Sequence, residues 1–197
     1  AQLAKGLTAG ANYTYLDATF QSPEVIDGSG NSSNSSAIDG FPGVEGTINI
    51  QPGDRIPLVP RQSLKLYADL DLANAWQVGA DLIAQSSATA RGNENGLHQP
   101  DGVYYLGPGR YPGFGFLNLR AEYRPTKGLR LFGQVGNVFN RQYSTAAQLG
   151  ATAFNDAGNY VARPFPANAN GDFPLRNATF YAPGAPRTFS AGLQYWF

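Results

Sequence analysis

Six segments of the chain alternate apolar and polar residues with a period of two. They cover residues 6–20, 63–72, 76–85, 117–124, 129–139 and 187–197. In the segment SLKLYADLDL, for example, leucine or alanine at each even position alternates with a polar residue or tyrosine at each odd one. Successive side chains of a β-strand point to opposite faces, whereas residues i and i+2 of a helix fall on opposite sides. The pattern therefore predicts an all-β fold with about six long strands.

The connections between these segments are of two kinds. The second and third segments are joined by ANA at 73–75, and the fourth and fifth by PTKG at 125–128. The other three connections are long and rich in Gly, Pro, Asn and Ser, and cover roughly residues 21–61, 86–113 and 141–186. Tight turns join antiparallel neighbours. The strict alternation of short and long connections predicts an antiparallel up-and-down meander with every long loop at one end.

The two faces of the predicted strands differ in charge. All charged residues of the central segments lie on the polar face: Lys65, Asp69, Asp71, Asp81, Arg120, Glu122, Arg124 and Arg130. Aromatic residues stand near the ends of the apolar face: Tyr13, Tyr15, Trp76, Tyr123, Tyr195 and Phe197. A soluble antiparallel sheet explains the alternation equally well. Long loops at one end, aromatic residues at the strand ends and a charged inner face favour a transmembrane β-barrel.

The composition excludes several classes of function. Net charge is zero and charged residues make up only 14% of the chain, so no nucleic-acid partner is indicated. With no cysteine and one histidine, the chain has no disulfide framework and no compact transition-metal site. No nucleophile with a matching base is visible, so we expect neither an enzyme nor a bound cofactor. The absence of methionine indicates a fragment or a processed product.

Several motifs resemble the C-terminal end of TonB-dependent outer-membrane receptors. They are DRIPLVPRQSLKL, RGNEN at 91–95, LNLRAEYRP followed by LRLFGQVGNVFNRQY, and the final PGAPRTFSAGLQYWF. The stretch from Asn137 to Tyr143 matches the N-L-F-D-[KR]-x-Y pattern of that family, with Asn140 in place of the usual Asp. Asn93 likewise stands where the loop motif often has Asp. The resemblance covers essentially the whole chain in the right order.

The resemblance implies a role as well as a fold. Residues 1–197 would form the C-terminal part of a barrel of about 22 strands in the bacterial outer membrane, without the plug and the earlier strands. The whole receptor would bind a scarce nutrient, a ferric siderophore, and import it when the TonB energy-coupling complex acts on the missing plug. Tyr195 and Phe197 would contact outer-membrane lipid and carry the barrel-assembly signal. A passive porin or adhesin barrel and a soluble β-sheet binding module are the alternatives.

Ligand contacts are expected in the outer loops. The candidate residues are Arg91, Asn93, Glu94, His98, Tyr104, Tyr105 and Arg110. The arginines would attract an anionic metal chelate, and the tyrosines would either stack on a planar ligand or pack the loops. The single histidine would contact a metal chelate or remain a solvated loop residue. Below them, Arg120, Arg124 and Arg130 are expected to pair with Asp69, Asp71, Asp81 and Glu122 on the polar face or to contact the missing plug.

Overall fold

The computed structural model describes residues 1–28, 31–39, 46–73, 75–154, 157–160, 171 and 176–197. The strands in chain order are β1 (Gln2–Ala4), β2 (Leu7–Tyr15), β3 (Glu24–Asp27), β4 (Thr47–Ile50), β5 (Gln62–Leu72), β6 (Trp76–Gln85), β7 (Ala88–Thr89), β8 (Tyr105–Leu106), β9 (Arg110–Tyr111), β10 (Phe114–Thr126), β11 (Leu129–Gly136), β12 (Ser144–Thr152), β13 (Arg176–Pro183) and β14 (Thr188–Tyr195). One helix, α1 (Ser35–Ile38), is described. No helix among the described residues is long and apolar enough to cross a membrane.

Seven strands form the main sheet, in the order β1-β2-β5-β6-β10-β11-β14. All neighbours in it are antiparallel. The predicted up-and-down meander of six long strands is therefore confirmed. Strand β11 ends earlier than predicted, at Gly136, because Asn137 adopts a positive φ of 48° and turns the chain out of the sheet.

The seventh strand, β1, was not among the six predicted from the sequence. Residues of β1 pair with β2 through a tight turn at Gly6, whose φ is +77°. A side chain at this position would strain the backbone, and its Cβ would lie 2.9 Å from the carbonyl oxygen of Asp71. The glycine thus allows the first residues to add an edge strand to the sheet.

The short turns lie together at one end of the sheet, which we call the turn end. There, Asp71 N donates to Gly6 O at 2.7 Å and Arg124 N donates to Ala75 O at 3.0 Å. The three long connections leave from the opposite end, which we call the loop end. The placement of long loops predicted from the sequence is confirmed.

The apolar face of the main sheet is exposed. Leucines of three neighbouring strands lie in register on it, with Leu66 opposite Leu82 and Leu82 opposite Leu117. Toward the edge strand, Phe189 is 73% exposed and Leu193 70% exposed. A soluble sheet would bury such a face, since large contiguous apolar patches are rare on soluble monomers. The exposure is that of a piece of a barrel wall.

The polar face carries two ion-pair clusters. In the first, Arg120 bonds to Asp69 at 2.5 Å and also to Asp81. In the second, Arg130 Nη2 lies 2.5 Å from Glu122 Oε2, and Arg124 also forms an ion pair with the Glu122 carboxylate. The predicted pairing of the inner arginines is thus confirmed for these acids.

The predicted pairing is wrong for Asp71. Its carboxylate accepts a hydrogen bond from Gln77 Nε2 at 2.8 Å. Gln77 is its cross-strand partner at the turn end, whereas the cross-strand partner of Arg120 is Gly79, which is also opposite Asp69. The register therefore places Arg120 next to Asp69, whereas the carboxylate of Asp71 bonds to the side-chain amide of Gln77.

We expect Gly79→Ala to destabilise the sheet. Its Cβ would lie 2.5 Å from Arg120 Nε and 2.6 Å from Asp69 Oδ1, so the ion pair must move. Overpacking of this kind lowers the free energy of unfolding by about 1–3 kcal/mol. Urea unfolding in detergent micelles measures the change.

The matched control is Gly133→Ala on the opposite face of the same sheet. There the nearest atom to the new Cβ is Ser190 O at 3.6 Å, which is an ordinary contact. Its unfolding free energy should stay within about 0.5 kcal/mol of the wild-type value. Equal destabilisation by both substitutions would contradict the role assigned to Gly79.

Candidate functional site

The three long connections pack against one another at the loop end and form what we call the loop layer. Its apolar cluster is Ala88, Ala90, Tyr111 and Ala147, with Leu58 packed against it. These residues come from all three connections, and backbone bonds join them: Leu58 N donates to Thr89 O at 2.9 Å, and Arg91 N donates to Ala147 O at 2.9 Å. Burial raises the pKa of the Tyr111 phenol. The loops therefore form one structured layer.

Part of this layer consists of strands that the sequence did not predict. Strands β3 and β4 pair with each other, β7 pairs with β9, and β12 pairs with β13, which also carries β8. The last connection was expected to be a loop over residues 141–186, yet β12 and β13 span nine and eight residues. Backbone pairing satisfies the polar groups of a long connection and so allows it to be buried.

The RGNEN motif joins the first and second connections. Asn93 is buried; its Oδ1 accepts from His98 N at 2.9 Å, and its Nδ2 donates to Gly109 O at 3.2 Å. Asn95 Nδ2 donates to Ser33 O at 2.8 Å. The motif thus holds a compact turn, and the amide of Asn93 fills a role that needs both a donor and an acceptor.

Glu94 is also buried within this turn. Its Oε1 accepts from Gly92 N at 2.9 Å, while its Oε2 has no hydrogen-bond partner. The predicted ligand contacts of Asn93 and Glu94 remain predictions, and both side chains lie beneath the surface of the loop layer. No three histidine or acidic side chains among the described residues are grouped so that they could hold a metal ion.

His98 bridges two connections through both ring nitrogens. Nε2 donates to Gly107 O at 2.9 Å, and Nδ1 accepts from the hydroxyl of Ser32. A carbonyl can only accept, so Nε2 carries a proton, and in the neutral ring Nδ1 is then the acceptor of the Ser32 hydroxyl. Burial lowers the pKa of His98, against smaller opposing effects of the Gly107 bond and the charge of Asp101. The ring is half-buried and held in place, and a metal chelate would have to displace one of these bonds.

Tyr104 and Tyr105 are buried. The backbone nitrogens of both residues donate to Asp101 Oδ1 at 2.8 Å, and Tyr105 is opposite Asn177 in the pairing of β8 with β13. Of the two roles expected from the sequence, this position fits loop packing. A stacking contact with a ligand would require the tyrosines to leave the layer.

Arg91 and Arg110 are the two predicted site residues on the surface. Arg110 Nη2 donates to Ser87 Oγ at 2.6 Å. Arg91 makes no ion pair with any described residue and lines a shallow pocket of about 290 Å³. The other lining residues are Leu58, Ala146, Ala147, Gln148, Phe180, Tyr181 and Ala182. The pocket thus combines an arginine that makes no ion pair among the described residues with two aromatic residues of β13.

The rings of Phe180 and Tyr181 are functional candidates that the sequence did not single out. They are 49% and 43% exposed, and burial of the phenol raises the pKa of Tyr181. The only local signal is the short run ATFYA in a Pro- and Asn-rich connection. Their position beside Arg91 follows from the pairing of residue 91 with residue 148 of β12, which is distant in sequence.

The NVFNRQY segment closes the loop end of the sheet. Asn137 is buried and donates through Nδ2 to Arg141 O at 2.8 Å and to Ala185 O at 3.1 Å. Asn140 has a φ of 50° and accepts from Arg187 N at 2.9 Å. Asparagine tolerates the left-handed conformation better than most residues. This motif therefore has a structural role between β11 and β14.

The main sheet matches a known protein family. Residues 2–138 match the family model described as TonB dependent receptor-like, beta-barrel, which is well over half of the chain. No curated protein sequence matches the chain.

Solved structures match the fold at low identity. The closed form of the ferric-catecholate import receptor Fiu from E. coli K12 is 17% identical, with a TM-score of 0.54, over 100% of this chain and 19% of that one. The siderophore receptor PiuA from Acinetobacter baumannii is 14% identical, with a TM-score of 0.55, over 98% and 20%. The ferric enterobactin receptor PfeA from Pseudomonas aeruginosa is 18% identical, with a TM-score of 0.51, over 98% and 20%. The chain thus spans about a fifth of these receptors.

We expect the loop layer to loosen at acidic pH. Because the folded layer lowers the pKa of His98, the unfolded loop binds a proton more readily, and stability falls as the pH drops below the ordinary value of 6.5. The amide of Gln99, which donates to Ser32 Oγ at 3.2 Å, should lose hydrogen-exchange protection between about pH 7.5 and about pH 5.5.

His98→Gln provides the comparison. A glutamine does not titrate, so the protection of Gln99 should no longer depend on pH in this variant. The amide of Ala68 within the main sheet serves as an internal reference. Equal protection of Gln99 at both pH values in the wild type would refute the assignment.

Proposed function

The chain belongs to the family of TonB-dependent receptor β-barrels, and from this premise we propose that it forms part of an outer-membrane receptor that binds and imports a ferric siderophore. Members of the family are transport receptors of the bacterial outer membrane. Residues 1–197 form the C-terminal part of the barrel, and the TonB energy-coupling complex acts through a plug outside this chain. Catalysis of covalent chemistry is not part of this function.

The single observation that carries the proposal is the structured loop layer over one end of an exposed apolar sheet. The apolar face of the sheet is suited to lipid, and the loops cover one end of this wall. The loop layer offers Arg91 beside Phe180 and Tyr181. A cation next to aromatic rings is complementary to an anionic chelate with planar ligand groups. The ferric-catecholate import receptor Fiu and the ferric enterobactin receptor PfeA share this fold.

Aromatic rings at the turn end of the apolar face support its assignment to lipid. Trp76 stacks on Tyr123 with ring centroids 4.6 Å apart, and Tyr195 meets Phe197 edge-on at 5.6 Å. Trp and Tyr are enriched where a membrane meets water. We assign Tyr195 and Phe197 to the lipid interface and to recognition during barrel assembly.

Uptake of radiolabelled ferric enterobactin by cells that produce the complete receptor tests the function. We expect uptake to require the TonB energy-coupling complex, and Arg91→Gln to weaken binding about tenfold because a charge-assisted contact is lost. Lys127→Gln, which removes one charge from a turn at the opposite end, should leave binding unchanged.

Other outcomes identify the alternatives. Uptake that persists without energy coupling would indicate a passive porin. Absence of the protein from the outer-membrane fraction would indicate a soluble binding module. Equal binding by Arg91→Gln and the wild type would remove Arg91 from the site while leaving the receptor assignment in place.

A further inference from the structure

One residue of the loop layer has a backbone conformation that its side chain disfavours. Leu58 has a φ of 64°, in the left-handed region that favours glycine. The other non-glycine residues with a positive φ in the described part of the chain are Ala75, in a tight turn, and the asparagines Asn137 and Asn140. Leu58 is therefore the residue with the largest apolar side chain in this conformation, and its backbone is strained.

The residues on either side of Leu58 cannot absorb this strain. A proline followed by a residue with positive φ, as in Pro57 and Leu58, is the pattern of a type II turn, in which the second position usually belongs to glycine. The ring of Pro57 fixes its own φ, and Val59 is restricted because Pro60 follows it. The strain therefore stays at Leu58, and contacts with other parts of the chain must hold it.

The second and third connections supply these contacts. The backbone N–H of Leu58 donates to Thr89 O at 2.9 Å, and its carbonyl oxygen accepts from the Tyr111 hydroxyl at 3.5 Å. Its side chain packs against the apolar cluster of the loop layer, which includes Ala90 and Ala147. Leu58 thus attaches the end of the first connection to the other two.

The same leucine lines the pocket at Arg91. This pocket of about 290 Å³ brings Leu58 and Arg91 together with Phe180 and Tyr181 of β13. A ligand in the pocket would therefore lie against the strained residue. Strained residues that persist in a folded protein cluster at ligand clamps and switch regions. A ligand that makes better contacts with one of two backbone arrangements shifts the equilibrium toward it, and the effect is reciprocal.

We propose that Leu58 is a strained anchor that couples occupancy of the Arg91 pocket to the attachment of the first connection. In the attached state, which the structure shows, packing of the leucine side chain offsets the cost of its left-handed backbone. When the side chain leaves the cluster, the backbone at residue 58 relaxes to a negative φ and detaches from the second connection. A ligand in the pocket favours the attached state. The inference rests on the proposed function for its ligand and adds a conformational step to it.

Two substitutions at residue 58 separate packing from strain. Leu58→Ala removes the packing and keeps the strain, whereas Leu58→Gly removes both. At an ordinary position glycine is the more destabilising of the two, because it has more conformational freedom to lose. A strained anchor predicts the reverse order. In the complete receptor without ligand, hydrogen exchange should show the amide of residue 58 about fivefold to thirtyfold better protected in Leu58→Gly than in Leu58→Ala.

Ile56 supplies the matched control. It lies two residues earlier in the same connection, its φ is negative, and its N–H donates to Ala18 O at 3.1 Å. Ile56→Gly should therefore lower the protection of this amide at least as much as Ile56→Ala does. If Leu58→Gly fails to assemble, Leu58→Asn replaces it, because asparagine tolerates the left-handed conformation. It too should protect the amide of residue 58 better than Leu58→Ala.

Ferric enterobactin tests the coupling to the pocket. We expect its binding to raise the protection of the Leu58 amide in the wild type, with the Ala68 amide of the main sheet as an unchanged reference. Because detachment reduces the fraction of receptor that is ready to bind, Leu58→Ala should bind ferric enterobactin about fivefold to thirtyfold more weakly than Leu58→Gly.

Two results would overturn the proposal. The first is an amide of residue 58 that, without ligand, is no better protected in Leu58→Gly than in Leu58→Ala, which would mean that packing alone matters. The second is binding of ferric enterobactin that leaves the protection of the Leu58 amide unchanged. A wild-type receptor that does not bind ferric enterobactin would refute the proposed function and the coupling together. The order of the ligand-free variants would still decide whether Leu58 is a strained anchor.

Discussion

One constraint governs the structure: each long strand presents one apolar face, and antiparallel pairing must keep these faces together. A register shift of one residue would place the side chains of Arg120 and its acidic partners on the apolar face. It would also place leucine side chains on the polar face. The observed register avoids this, because Leu66, Leu82 and Leu117 are in line across three strands. The same register brings Asp69 and Arg120 to either side of Gly79, so the inner ion pairs follow from the pairing that organises the apolar face.

The loop layer depends on the sheet in turn. Because short turns occupy one end, all three long connections leave from the other end and meet there. Their cluster combines Leu58, Tyr111 and Ala147, one from each connection. Hydrogen bonds from His98 to Ser32 and Gly107 then fix loops that are far apart in sequence. A chain with the same loops spread over both ends could not form this layer.

The sequence predicted the main sheet well because alternation is a local signal. It identified the six long strands, both tight turns and the pairing of Arg120, Arg124 and Arg130. It missed β12 and β13, since most of their residues are small or polar and only long-range pairing makes them strands. The candidate site was harder to predict from the sequence. Tyr104 and Tyr105 proved to be buried, and the pocket at Arg91 needs Gln148 and Phe180, which no local pattern connects to it.

The order of the loop layer bears on how tightly such a receptor could bind. Ordering a flexible loop on binding costs free energy that reduces affinity. Here the backbone around Arg91 is already paired, since Arg91 N donates to Ala147 O and Leu149 N donates to Arg91 O at 2.8 Å. A ligand at this residue would therefore have only side chains to order. The rigid sheet positions the layer, the layer positions Arg91, and among the residues that the structure describes no acidic side chain pairs with that arginine.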